Sequence, residues 1–216
     1  SIRSIQPVAA DGFVFVAPFG EEWYEVVRID NNGNESWRTP LTNHGEATDI
    51  AVLKDDSGFV VTGHTHQAGG IDGSVTKVSQ DGAIVWGKTY GNPEGGSGNF
   101  ANVGTGNPAL IFDECWGAQE TESGGAILAC GTGIEGCDEI EGDLYSECIA
   151  DPRTMWRSLL IEIDSNGDEL WSRTDSFIME GEAMETASEY IVQGKGGEYA
   201  SVMDQGFGIG LLILGE

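Results

Sequence analysis

The 216-residue chain holds three histidines, and two of them stand two residues apart in "GFVVTGHTHQ", residues 58–67. Side chains alternate across an extended strand, so His64 and His66 share a face and offer two imidazoles side by side, as a chelating pair requires. Imidazole suits copper, zinc and nickel, and copper(II) binds most tightly among the divalent ions. Two or three neutral imidazoles with few other strong donors also suit copper(I). The third histidine, His44, lies upstream in "LTNHGEATD". An antiparallel hairpin with its turn centred on "DDSG" (55–58) puts position 47 opposite His66, which brings His44 to the same end of the hairpin. His64, His66 and His44 are therefore the candidate metal ligands. Set against them is the plainer reading of polar residues at a strand end.

Other chemistries find less support. There is no G-x-S-x-G nucleophile motif, and the glycine-rich "GNPEGGSGNF" has no helix after it to bind phosphate. Acidic residues are so numerous that no carboxylate pair stands out as a hydrolase site. The chain reads as a binding protein and not as an enzyme. Asp164, Asn166 and Asp168 in "IDSNGDE" are spaced like calcium ligands. The same register recurs in "RIDNNGNE" and "VSQDGA", where Asn-Gly or Asp-Gly supplies a positive-φ hairpin turn, and the bidentate glutamate of an EF-hand is missing. These are read as turns. Calcium stays a second candidate ion, at no assigned position.

Ten basic residues against thirty-six acidic ones give a formal charge of −26. Such a surface repels phosphate backbones and anionic lipid and attracts cations, so nucleic acid is excluded as a partner while a metal ion is not. The longest apolar run, near "IGLLILGE", falls well short of the ~20 residues of a spanning helix, so membrane insertion is not expected. Cys115, Cys130, Cys137 and Cys148 form an even, clustered set without zinc spacing. They read as two disulfides in an oxidising compartment, which places the protein outside the cell or on its surface. The chain starts without Met or a leader; a secreted form would have shed its signal.

The elements that must position these residues come from a repeat. "GFVFVAPFGEEWYEVVRIDNNGNESWRT", "GFVVTGHTHQAGGIDGSVTKVSQDGAIVWGKT" and "GAILACGTG…WRSLLIEIDSNGDELWSRT" answer one another. Each runs from Gly through a β-rich stretch, a variable loop, a second strand and an Asp/Asn-Gly turn to a strand carrying Trp37, Trp86 or Trp171. "GEYASVMDQGFGIGLLILGE" is a shorter copy that stops before its turn. A further strand precedes each copy, so each unit is a four-stranded antiparallel meander, A to D. The units span about 1–42, 43–92, 108–178 and 184–216 of a single all-β repeat domain. Loop insertions fall at 91–108 and 133–156. The fold expected is β-propeller-like with about four blades, against a β-sandwich or an irregular hairpin stack. The N-terminal segment could supply the strand the last unit lacks.

Aligning the second strands puts Cys130 level with Gly63 and Gly131 level with His64. D–A and B–C loops open on one face of a meander, and both insertions gather there with Trp23 and Trp156, so binding is expected on that rim. Trp116 lies in strand A of the third unit, aligned with Ile50 of the second. Three disulfide pairings are possible. The hairpin turn near "ESGG" places Cys115 roughly opposite Cys130 and so favours Cys115–Cys130 with Cys137–Cys148.

The "GG-hydrophobic-x-x-x-G-x-T … D-x-x-G-x-x-x-W" pattern resembles secreted bacterial β-propeller repeats over nearly the whole chain, and the propeller arrangement is what that resemblance implies. "GHTHQ", the extra tryptophans and the acidity of the chain also make it similar to surface copper-binding proteins of methane-oxidising bacteria. Those hold one copper through two histidines and a tryptophan oxidised to kynurenine. That resemblance implies copper acquisition at the cell surface, with Trp116 or Trp23 as the modified ligand. His64 stands where one member carries its modified Trp, two residues before a ligand His. The rival expectation is a cell-surface module that binds carbohydrate or a partner protein, using Trp23, Tyr24, Trp116 and Trp156 as stacking platforms.

Overall fold

Short β-branched and aromatic runs separated by glycine turns give this chain strands and little else. The computed structural model describes residues 2–9, 11–20, 23–54, 57–65, 71–91, 110–135, 137, 142–151, 154–205 and 208–214. The first sheet contains β1 (Ser4–Pro7), β2 (Phe13–Phe19), β3 (Trp23–Ile29) and β4 (Glu35–Leu41). The second contains β5 (Glu46–Val52), β6 (Phe59–His64), β7 (Gly73–Val78) and β8 (Ile84–Tyr90). The third contains β9 (Leu110–Glu120), β10 (Ala126–Glu135), β11 (Arg157–Ile163) and β12 (Glu169–Asp175). A small hairpin of β13 (Phe177–Met179) and β14 (Glu182–Met184) leads into the fourth sheet, β15 (Thr186–Gln193), β16 (Tyr199–Gln205) and β17 (Gly208–Leu214). Every strand pairs antiparallel with its sequence neighbour in the sheet, so each sheet is a meander. The architecture is propeller-like and nearly all-β.

Three apolar layers join the four sheets in order. Val14, Val16 and Val26 of the first meet Ile50, Phe59 and Val61 of the second. Val60 and Val75 of the second meet Leu128, Leu159 and Ile161 of the third, with the Cys115–Cys130 disulfide in the same layer. Ile127 and Leu160 of the third meet Ile191 of the fourth. The middle strands therefore bury both faces: β6 and β7 are buried at every position. That is why "FVV" reads as a continuous apolar run without alternation. The end sheets keep one apolar face open, with Phe13 and Phe19 outward on the first and Ile209, Leu211 and Ile213 outward on the fourth.

Side chains on the last strand of one sheet fasten it to the next. Trp37 Nε1 donates to Gln80 O at 3.0 Å, and Trp86 Nε1 donates to Ser165 O at 3.3 Å. Gln80 and Ser165 hold the same place in successive C–D turns. Trp171 has no such turn ahead of it among the described residues and donates instead to Glu162 of its own sheet. The turns themselves are as the sequence predicts. Asp30 Oδ1 accepts the backbone N–H groups of Asn32 and Asn34, and Asp164 Oδ1 those of Asn166 and Asp168, each at 2.8 Å. Gly33 and Gly167 follow with φ of 81° and 75°. These carboxylates are occupied by their own turns. Hydrogen bonds from Asn34 and from the Asp168 backbone lead in holding Asp30 and Asp164 below the usual range.

The structure departs from the sequence-based expectations in four places. The N-terminal strand β1 pairs with β2 and does not complete the fourth sheet. Part of the 133–156 insertion is helical, α1 (Asp143–Ala150), closed by Cys137–Cys148. The hairpin β13–β14 turns through Glu180 and Gly181, both at positive φ, a type of turn that "MEGEA" signals weakly because Glu is a poor left-handed residue. Finally, Trp116 aligns with Thr48, not Ile50. β5 shifts register between Ala47 and Asp49, β9 between Cys130-paired Cys115 and Gly117, and β15 between Ser188 and Tyr190. Thr48, Trp116 and Glu189 are thus the extra residues of one recurring β-bulge. An extra residue in the bulge is invisible to a strict two-residue alternation, which accounts for the misalignment.

Candidate functional site

The bulge sets the stage for the site, because it re-aims one side chain of an otherwise regular strand. Thr48 uses its freed hydroxyl structurally, donating to Thr62 O at 3.2 Å and to Cys115 O of the next sheet at 2.8 Å. At the next junction the equivalent residues, Trp116 and Glu189, instead face a cavity of about 320 Å³ between the third and fourth sheets. Trp156, just before β11, is its second aromatic wall; the Trp116 and Trp156 rings lie 6.1 Å apart at 41°. Two glycines of "CGTG" give them room. A Cβ at Gly131 would sit 2.9 Å from both indoles, and one at Gly133 2.8 Å from Trp156. Thr186 N donates to Trp156 O at 3.0 Å and ties this wall to β15.

Glu114, Glu185, Glu189 and Asp204 supply four carboxylates to the same cavity, with Thr186 and Ala187 beside them. Burial first, then the charge of Asp204, pushes the Glu189 carboxyl above its ordinary range. Strand register explains the convergence. Glu114 pairs with Gly131 and Ala187 with Asp204, at the end of each sheet where strand A begins and strand B ends. That is the rim on which binding was expected.

His44 and His64 occupy the corresponding rim of the second sheet. Glu46 lies opposite His64, three residues away from the register expected, because the hairpin turn is centred earlier, between Leu53 and Gly58, and the bulge at Thr48 adds one more. The shift keeps His44 close: Gly45 N donates to His64 O at 2.8 Å. His44 is buried, with Nδ1 2.7 Å from Ser74 Oγ and Nε2 3.0 Å from Thr76 Oγ1. Burial foremost, opposed by a hydrogen bond with the Glu46 backbone and helped by a smaller repulsion from His64, pushes its pKa down to about 4. His64 Nε2 lies 3.8 Å from Glu46, whose carboxylate also meets Arg3 at 2.5 Å. His66 lies outside the described residues, as do 92–109 of the first insertion. Among the described residues no three His, Cys, Asp or Glu side chains group as a metal centre.

The structure thus brings His44 and His64 together. Trp116 packs on Trp156 at the third–fourth junction, and Trp23 stands half-exposed at the start of β3 on the first sheet. Both cysteine pairs form as the register favoured, Cys115–Cys130 and Cys137–Cys148. Sequence reasoning placed Trp156 on the rim and Trp116 in strand A, with both as candidate stacking residues, and missed the four carboxylates around them. The pairing of Gly131 and Gly133 with two off-repeat tryptophans was the only available signal.

No helix among the described residues is long and apolar enough to cross a membrane. No family model matches the chain, and no curated protein matches it. Among solved structures it is similar to the Dos1 propeller, with 11% identity and a TM-score of 0.35 over 94% of this chain. The chain spans about half of that one, 53% of its length.

Proposed function

We propose that this is a secreted or cell-surface binding module, without turnover, that holds a small ligand or a partner's side chain in the cavity between its third and fourth sheets. The observation that carries the reading is the Trp116–Trp156 wall facing four carboxylates on a rigid rim. Indoles give flat apolar contact area, and pockets of this size suit small ligands held by a few polar groups. Two disulfides and a −26 charge favour an extracellular setting. Titration of the full chain against soluble oligosaccharides and peptides, followed by tryptophan fluorescence, tests it. A ligand of this site should lose at least ~10-fold in affinity on Trp156→Ala. A panel in which every ligand ignores both Trp116→Ala and Trp156→Ala refutes it.

Copper capture is the second reading, and what favours it is the electrostatic coupling of His44 and His64 on the second sheet. In that reading His64 and His66 grip the ion, while His44 would have to surrender Ser74 or Thr76 to join them. Elemental analysis of native protein decides it. Near-stoichiometric copper, lost in the His64→Ala/His66→Ala double variant, supports capture, as would a kynurenine mass shift in the peptide holding Trp116 or Trp23. Protein purified from copper-replete cells without the metal ends it.

A further inference from the structure

We propose that the open faces of the first and fourth sheets are the two halves of one interface, by which two copies of this chain join head to tail into a closed pair. Both faces are separate from the cavity, which lies on the other side of the fourth sheet.

Shared strand registers make the four sheets comparable position by position. Ile29, Val78 and Ile163 each follow the register shift beside a Trp-bearing strand. Each pairs with the start of a second strand, at Phe13, Phe59 and Ala126. The bulge aligns Val202 with Ala129, and so Tyr199 with Ala126 and Leu214 with Ile163. Within the chain every junction then uses the same positions. The forward face carries Val14 and Val26 in the first sheet, Val60 and Val75 in the second, Ile127 and Leu160 in the third. The receiving face carries Phe59 and Val78 in the second sheet, Ala126 and Ile163 in the third, Tyr199 and Leu214 in the fourth.

Ala200 and Leu211 hold the forward positions of the fourth sheet, and Phe13 and Ile29 the receiving positions of the first. Leu211 is 62% exposed, with Ile209 and Ile213 on the same face, and Phe13 is 41% exposed, with Ile5 and Phe19 on its face. Contiguous apolar surface of this kind marks an interaction site. Its fitting occupant is the complementary face that this chain already packs at three junctions. Both faces stay exposed, so the first sheet of the same chain does not cover the fourth. The first sheet of a second copy does. Such a junction is heterologous, and two copies satisfy both of their open faces by exchanging them. Four main sheets from each copy give a ring of a size that propellers commonly reach. Repulsion between surfaces of formal charge −26 opposes the pairing, so it strengthens with salt.

Sedimentation velocity on the full chain, from micromolar to millimolar loading at low and high salt, tests it. The mass should rise from 22.9 kDa toward twice that value with concentration, and further at high salt. Leu211→Asp and Phe13→Asp should each raise the apparent dissociation constant at least ~10-fold, because each spoils both junctions of a pair. An equimolar mixture of the two variants should associate again, through the one junction whose faces are both intact. Diluted variants should melt like the wild type; if either does not, Ile209→Asp and Phe19→Asp repeat the comparison at more exposed positions. A chain that stays monomeric throughout overturns the proposal. So does association that one variant abolishes and the other ignores, the mark of a face meeting its own copy. A mixture that associates no better than its normally melting components also overturns it, and growth past twice the mass overturns the closed pair.

Discussion

His44 shows how one buried side chain can be structural and still report on solution conditions. Its two ring nitrogens are held by Ser74 and Thr76, and its pKa is pushed down to about 4 by burial and by His64. The unfolded imidazole titrates near 6.5, so between pH 6.5 and 4 the unfolded chain binds a proton that the folded chain refuses. The stabilisation is complete above about pH 6.5 and is lost as pH falls toward 4. Its ceiling is on the order of 3 kcal/mol. His44→Gln keeps hydrogen-bonding capacity without titrating. Urea unfolding at pH 7.5 and pH 5 should show the wild type losing more stability than the variant across that interval. Equal pH slopes would refute the assignment. The neighbouring buried carboxyl of Asp49, raised by desolvation, is common to both proteins and drops out of the difference.

At the scale of elements, the packing between sheets is apolar, while their alignment depends on single polar contacts. Trp37 and Trp86 each reach the turn of the next sheet, and Thr39 and Tyr90 donate to the glycine carbonyls of the same turns. Asp49 ties three first strands together, accepting from Ser4 of β1 at 2.6 Å and from Ala118 N of β9 at 3.1 Å. Asp49→Ala strands two buried or half-buried donors and should cost about 2–4 kcal/mol in denaturant unfolding. Trp37→Phe removes one partly buried donor and some contact area and should cost less, about 1–2 kcal/mol. The reverse order would mean that packing, and not the polar ties, sets the alignment. The bulge belongs to this scale too. The same extra residue recurs at Thr48, Trp116 and Glu189, yet only its chemistry decides whether a junction is sealed, as by Thr48, or opened into a cavity.

The molecule as a whole is four meanders stacked in chain order, and the two disulfides act on different parts of it. Cys115–Cys130 joins β9 to β10 inside the apolar layer between the second and third sheets, where Gly73 is small enough to let Cys115 Sγ approach. Its loop of 15 residues corresponds to a chain-entropy contribution of about 3 kcal/mol. Cys137–Cys148 closes only the helical insertion. Replacing Cys115 and Cys130 by Ala should lower the global melting transition, whereas Cys137→Ser/Cys148→Ser should leave it nearly unchanged and expose the 133–156 segment to protease. A global transition that falls equally in both variants would show that the insertion is part of the cooperative core.

Short-range signals in the sequence determined the strands, the turns and the meander order, because alternation, Asx-Gly pairs and a repeated Trp act over a few residues. They favoured one disulfide pairing of three, since a hairpin turn sets which cysteines face each other, and the structure holds that pairing. The register at His64 was legible only to within three residues, because turn length and bulges each move a strand by single steps. Tertiary structure alone decided which sheet junction is open. Glu114, Trp156, Thr186 and Asp204 come from four separate stretches of chain, and nothing local to any of them encodes their meeting. Only the stacking of the third sheet on the fourth gathers their charge and aromatic surface around one space.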